Sequence, residues 1–214
     1  MACAIEAAVS VPWEDLVMQF VIKPLGIFFY FQNSLLSDIS SHFHKGMNSF
    51  GFGSPVGGPI GHDEDDVPQP LHTDHPFLHP SFSVHSTLED WMKFAKTHMS
   101  ILKGVFQGCT LKVSQESLEF LQIPVSVEEE FDGNEPPNGY AMGWKTVWMD
   151  SAEVKTPPVC LWHFGTNFRY NAGIFLDKER DIMVVSASNS GSMVARLAMR
   201  CAFERLLEMA QKEG

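Results

Sequence analysis

The sequence predicts an α+β protein: an antiparallel sheet flanked by helices, plus a mostly helical lobe. Three observations predict it. Residues 159–188 read as three successive strands, the second and third joined by the charged turn Asp177-Lys178-Glu179-Arg180-Asp181. A long helical pattern, about 192–211, follows at once. Apolar residues at helical spacing also recur within 2–22 and 87–122, away from the strands. Antiparallel strands followed by a helix with one apolar stripe favour burial of that stripe on the sheet.

The N-terminal segment opens with helix formers over Ala2–Val9, and Pro12 suits the first turn of a second helix. In that helix Trp13, Leu16, Val17 and Phe20 make one apolar face, and Pro24 and Gly26 end it. Residues 31–80 are loop-like, rich in Ser, Gly, Pro and His, with the acidic run Asp63-Glu64-Asp65-Asp66. Ser86-Thr87-Leu88-Glu89 reads as a capping box. It opens a helix whose stripe is Leu88, Trp91, Met92, Ala95, Met99 and Leu102, closed by Gly104. A shorter helix, about 115–122, takes Ser114 as its N-cap and stops at Pro124. An acidic loop spans Glu128–Gly139, and Tyr140–Trp148 reads as one strand. The last helix carries Val194, Leu197, Ala198, Cys201, Leu206 and Met209 on its stripe. With 214 residues and no internal repeat, the chain reads as one domain over 1–214. Its helical lobe covers about 1–125, and the sheet with its C-terminal helix about 138–212.

Composition narrows the partners. A formal net charge of −11 disfavours nucleic acid and anionic membranes. The most apolar run, Ile22–Phe31, is interrupted by Lys23, Pro24 and Gly26, so no membrane-spanning segment is expected. No signal peptide is visible, which makes the cytoplasm the default location. The four cysteines, Cys3, Cys109, Cys160 and Cys201, are far apart in sequence and read as unpaired, mostly buried thiols. No metal or other cofactor is expected. His72-x-x-His75 has ligand-like spacing but lies in an irregular, Pro-rich stretch that fixes no geometry. The Gly51–Gly58 run lacks the spacing and the basic helix start of a phosphate loop.

Five segments, in order, carry a resemblance. They are Ser10–Val17 with Lys23-Pro24-Leu25-Gly26; Pro80–Ala95; Asn138-Gly139-Tyr140-Ala141-Met142-Gly143-Trp144; His163-Phe164-Gly165-Thr166-Asn167; and Asp177–Asn189. Together they resemble the C-terminal portion of the β-lactamase-related serine hydrolases, the superfamily of class C β-lactamases, penicillin-binding proteins and esterases. The resemblance implies a truncated version of that β-lactamase/transpeptidase-like fold. It also implies a small-molecule ester or amide substrate, with His163, Gly165, Thr166 and Asn167 lining the substrate cleft. The family's chemistry needs a Ser-x-x-Lys nucleophile pair and a Tyr-x-Asn proton-transfer group. No Tyr-x-Asn occurs, and the one Ser-x-x-Lys string, Ser100-Ile101-Leu102-Lys103, ends a helix where the family has no nucleophile. A catalytically impaired homologue is therefore expected. The alternatives are an active esterase or β-lactamase-type hydrolase with another nucleophile, and a non-catalytic binding or scaffold protein. Self-association through an uncovered sheet edge is expected as well.

Overall fold

The computed structural model describes residues 2–31, 59–69, 79–82, 84–105, 111, 114–127, 138–147 and 160–213. They form an α+β fold whose larger sheet has six strands in the order β3-β4-β5-β6-β7-β8. These are Ser126–Val127, Asn138–Tyr140, Lys145–Val147, Cys160–Thr166, Asn171–Asp177 and Ile182–Ser188. A two-stranded sheet pairs β1, Phe29–Phe31, with β2, Val84–Ser86. The chain divides into two compact units. One comprises Met1–Trp91, Thr166–Asn171 and Ala187–Ala198; the other comprises Met92–Gly165, Ala172–Ser186 and Met199–Gly214.

In the first unit, α1 (Ala2–Val9) and α2 (Trp13–Val17) are followed by a π-helical turn over Met18–Ile22 and by α3 (Lys23–Leu25). Gly26 ends the run in the left-handed conformation, φ +59°, as a Gly after a helix commonly does. The buried face differs from the expected one. Ile22 is its centre, packed by Trp13, Val17, Met18, Val21 and Ile27, while Phe20 stays exposed. A π turn holds an extra residue, so it rotates every later side chain relative to a regular helix.

The stretch from Pro59 to Gln69 is ordered by pairing. His62 donates its backbone N–H to Asn189 (2.8 Å), and its carbonyl accepts from the Gly191 N–H (2.8 Å). Asn189 Nδ2 donates to the Ile60 carbonyl, and Ser190 Oγ donates to Asp66. This packing requires glycine at two points. A Cβ on Gly191 would collide with the Phe168 carbonyl, and one on Gly61 would meet the Tyr170 ring at 2.6 Å.

The helix α5 spans Leu88–Leu102, preceded by the short α4, His79–Phe82. The cap lies one residue later than the sequence suggests. Thr87 Oγ1 accepts from the Asp90 N–H and donates to the Asp90 carboxylate, both at 3.1 Å. Ser86, committed to β2, donates its hydroxyl to the Phe28 carbonyl instead. Ala95, Met99, Ile101 and Leu102 are buried, and Gly104 closes the helix at φ +70°. In α6 (Gln115–Phe120) Ser114 caps the Ser117 N–H, as expected.

The second unit holds most of the larger sheet. Residues 140–148, expected as one strand, contain a hairpin. Tyr140 pairs with Lys145 across a turn in which the Ala141 N–H donates to the Trp144 carbonyl and Gly143 takes φ +87°. Sequence alternation alone does not reveal a turn whose only local mark is one glycine. The three later strands fall where expected. Where β5 pairs with β6, Thr146 and Leu161 face each other, both fully buried.

The last helix, α7 (Met193–Glu213), buries a different face from the predicted stripe. Met199 and Phe203 are buried, and Phe203 packs on Phe164 at 5.1 Å between ring centroids. Val194 is 75 % exposed, and Leu197, Cys201, Leu206 and Met209 are also exposed. Apolar residues occur around much of this helix, so periodicity does not single out a face. The Phe164 ring does; it closes over Gly173, where a Cβ would strike it.

Two expectations follow. Gly191→Ala should destabilise the fold by about 1–3 kcal/mol in urea unfolding, because backbone must shift to admit the methyl group. The second concerns His98, buried against Phe94 (4.5 Å) and Trp144 (5.0 Å). Burial pushes its imidazole down to about 4. The folded state therefore holds it neutral, whereas the unfolded chain protonates it near 6.5. Its contribution is fully present above about pH 6.5 and is lost as pH falls from there towards 4, at a limiting slope of about 1.4 kcal/mol per pH unit. Unfolding free energies measured between about pH 7 and 4 should fall less steeply in His98→Leu than in the parent.

Candidate active site

The strand β6 positions His163 and Gly165. His163 is half-buried and makes an edge contact with Tyr140 at 6.2 Å between ring centroids. Burial first, and then the charge of Lys145, lower its pKa below the ordinary histidine value. At neutral pH this ring is an uncharged hydrogen-bonding group, not a cation. The nearby positive charge belongs to Lys145, held 4.8 Å from the centre of the Trp162 ring in a cation–π contact. Gly165 is exposed, and a Cβ placed on it would meet nothing within 4 Å. Its missing side chain is not demanded by packing.

Thr166 and Asn167, the other two expected cleft residues, build the β6–β7 turn. Thr166 Oγ1 donates to the Tyr170 carbonyl and accepts from the Phe168 N–H, both at 3.0 Å. Asn167 Oδ1 accepts from the N–H groups of Arg169 (3.2 Å) and Tyr170 (2.9 Å). These bonds hold Phe168 at φ +66° with its ring 76 % exposed. A bulky residue in the left-handed region is costly, and such strain gathers at functional sites. Sequence reasoning did not foresee the left-handed backbone of Phe168. Its one signal was an unusually large side chain directly after the His163–Asn167 segment.

The Ser100 and Lys103 side chains point to different partners. Ser100 lies in the last turn of α5 and donates its hydroxyl back to the Lys96 carbonyl at 3.0 Å. Lys103, just beyond the helix, pairs with Asp181 at 2.5 Å. Each group is engaged elsewhere, and neither is hydrogen-bonded to the other. A helix C-terminus also presents carbonyls, which oppose a developing serine alkoxide. The sequence pairing of Ser100 with Lys103 has no hydrogen bond behind it among the described residues.

The thiols separate by environment. Cys160 is buried, and its pKa is pushed up to about 12, by burial and then by the Asp177 carboxylate; Cys201 is exposed. Among the described residues no group of three His, Cys, Asp or Glu side chains is placed to hold a metal ion, and no helix is long and apolar enough to cross a membrane. The His72-x-x-His75 pair lies outside the described residues.

Removing the Lys145 charge isolates its part in the electrostatics. Lys145→Met should raise the His163 pKa towards its ordinary value when the ring is followed by NMR titration. An unchanged midpoint would show that burial alone holds it down.

No protein-family model and no curated protein matches the sequence. Solved structures do. An octameric penicillin-binding protein homologue from Pyrococcus abyssi superposes with a TM-score of 0.61 at 21% identity, over 95% of this chain and 40% of its own. A mutant class C β-lactamase gives 0.58 at 13% identity, over 90% of this chain and 52% of its own. A further class C β-lactamase gives 0.57 at 14%, over 90% and 50%. The chain spans about half the length of these structures or less. At such identities the likeness establishes the fold: this chain has the architecture shared by penicillin-binding protein homologues and class C β-lactamases.

Proposed function

We propose that this chain is the strand-bearing portion of a serine-hydrolase-type fold and that, as it stands, it does not hydrolyse esters, amides or β-lactams. The observation that carries this reading is the engagement of Ser100 by Lys96 and of Lys103 by Asp181. The sequence holds no other Ser-x-x-Lys string and no Tyr-x-Asn. Acyl transfer by this chemistry needs a serine whose proton a neighbouring base can take, and no such pair is present among the described residues.

His163 and Gly165 are the residues we assign to substrate contact. Gly165 lies on a strand, is exposed and has open space above it, as a position that admits an acyl group needs to be. His163 contributes an uncharged imidazole that can accept or donate one hydrogen bond. These two residues would serve an ester or amide ligand in the same way whether or not a nucleophile is supplied.

The test is an active-site-directed fluorophosphonate. The expected result is no stoichiometric labelling, with Ser100→Ala indistinguishable from the parent. Stoichiometric labelling abolished by any single Ser→Ala substitution would sink the inactive reading and identify the nucleophile.

A further inference from the structure

One imidazole joins α5 to the β4–β5 hairpin. The His98 ring packs on Phe94, one turn back on α5, at 4.5 Å between centroids. It also packs on Trp144, the last residue of the hairpin turn, at 5.0 Å. His98 and Trp144 are buried, and so is Gln122, whose Nε2 donates to the His98 carbonyl at 3.2 Å. His98 Nδ1 is buried with no hydrogen-bond partner among the described residues. All these groups belong to one compact unit, within its segment Met92–Gly165.

The hairpin has little else of its own. The strands β4 and β5 are three residues each, against seven in β6, β7 and β8. Short strands contribute few ladder bonds, so the packing of Trp144 carries a large share of the hold. The hairpin in turn carries Tyr140 against His163. One step beyond the Lys145–Trp162 pair, Trp144 comes level with His163.

A neutral imidazole suits this seat and an imidazolium does not, because burial strips the charge of water. The two aromatic rings attract a cation only modestly by comparison. The charged groups nearest along the packed elements are Lys96 on α5, Glu119 on α6 and Lys145 on β5, with the titratable rings of Tyr140 and His163 beyond Trp144. None of them contributes to the low His98 pKa, which burial alone produces.

We propose that His98 is an acid-released latch: neutral, it clamps the β4–β5 hairpin and the Tyr140–His163 contact onto α5, and protonated, it lets the hairpin open while β7 and β8 stay paired. The latch stands apart from the residues assigned to substrate contact and holds whether or not His163 meets a ligand. Its sign follows from linkage. The open form exposes His98, which then titrates near 6.5, whereas the closed form holds it down to about 4. The open form binds more protons, so the opening equilibrium rises by about 20-fold between pH 7 and pH 5.

The experiment is native-state amide hydrogen exchange followed by NMR, with rates corrected for the intrinsic effect of pH. The hairpin is read at the Ala141 N–H, which donates to the Trp144 carbonyl. The expected result is that Ala141 loses protection by that factor on acidification, while amides of β7 and β8 keep theirs. His98→Phe leaves an aromatic ring in the seat and removes the titrating group. Most of the loss should vanish in it, although His163, the other histidine with a lowered pKa, is retained. Protection at Ala141 that does not change between the two pH values would overturn the proposal. So would an equal loss in β7 and β8, which marks global unfolding, or the same loss at Ala141 in His98→Phe. If His98→Phe does not fold, the contrast between Ala141 and the β7 and β8 amides of the parent decides.

Discussion

A buried carboxylate organises the strand-rich unit. Asp177, at the end of β7, is fully buried. Removing a charge from water is expensive unless its oxygens are fully bonded. Here Oδ1 accepts from the N–H groups of Glu179 and Arg180, both at 3.0 Å, and Oδ2 is 2.6 Å from the Arg180 guanidinium. The Cys160 thiol, on β6, lies near the same carboxylate, whose charge adds to burial in raising its pKa. One side chain thus fixes the β7–β8 turn and sets where β8 begins. The parity of β8 depends on this anchor. Asp181 takes φ +56° at the end of the same turn and receives Lys103 from the end of α5.

That ion pair also holds apart two residues whose spacing looks catalytic. Ser100 and Lys103 are three positions apart, the spacing a nucleophile pair would have. Spacing alone does not say where the two groups point. Near a helix end, a serine hydroxyl readily satisfies a carbonyl one turn back. A flexible lysine just past the helix goes to the nearest carboxylate. The competition is local, and the surrounding turn decides it.

The legible parts of the sequence are those whose signals are local and redundant. The strands β6, β7 and β8, the Ser114 cap, the Gly26 and Gly104 helix ends and the α+β class each follow from period, punctuation or charge within a few residues. The features that sequence does not reveal depend on partners distant along the chain. The Ser86 hydroxyl reads as a cap because the β1–β2 pairing that claims it leaves no local trace. The buried faces of the segment ending at Ile22 and of α7 escape periodicity because a π turn rotates the end of the first and the Phe164 ring, met by Phe203, chooses the second. Thr166 and Asn167 sit in a motif-like position, yet their oxygens are used to close the turn that follows.

The sequence by itself determined the order and type of the main elements, the absence of a Tyr-x-Asn group and the place of His163 and Gly165 on one strand. These depend on near-neighbour preferences and on residue identity, which need no third dimension. Only the tertiary structure decided which helix faces are buried, that Ser100 and Lys103 are engaged apart, and that the positive charge near His163 resides on Lys145. Each of those outcomes is a competition between groups brought together by folding, and close packing and desolvation settle it.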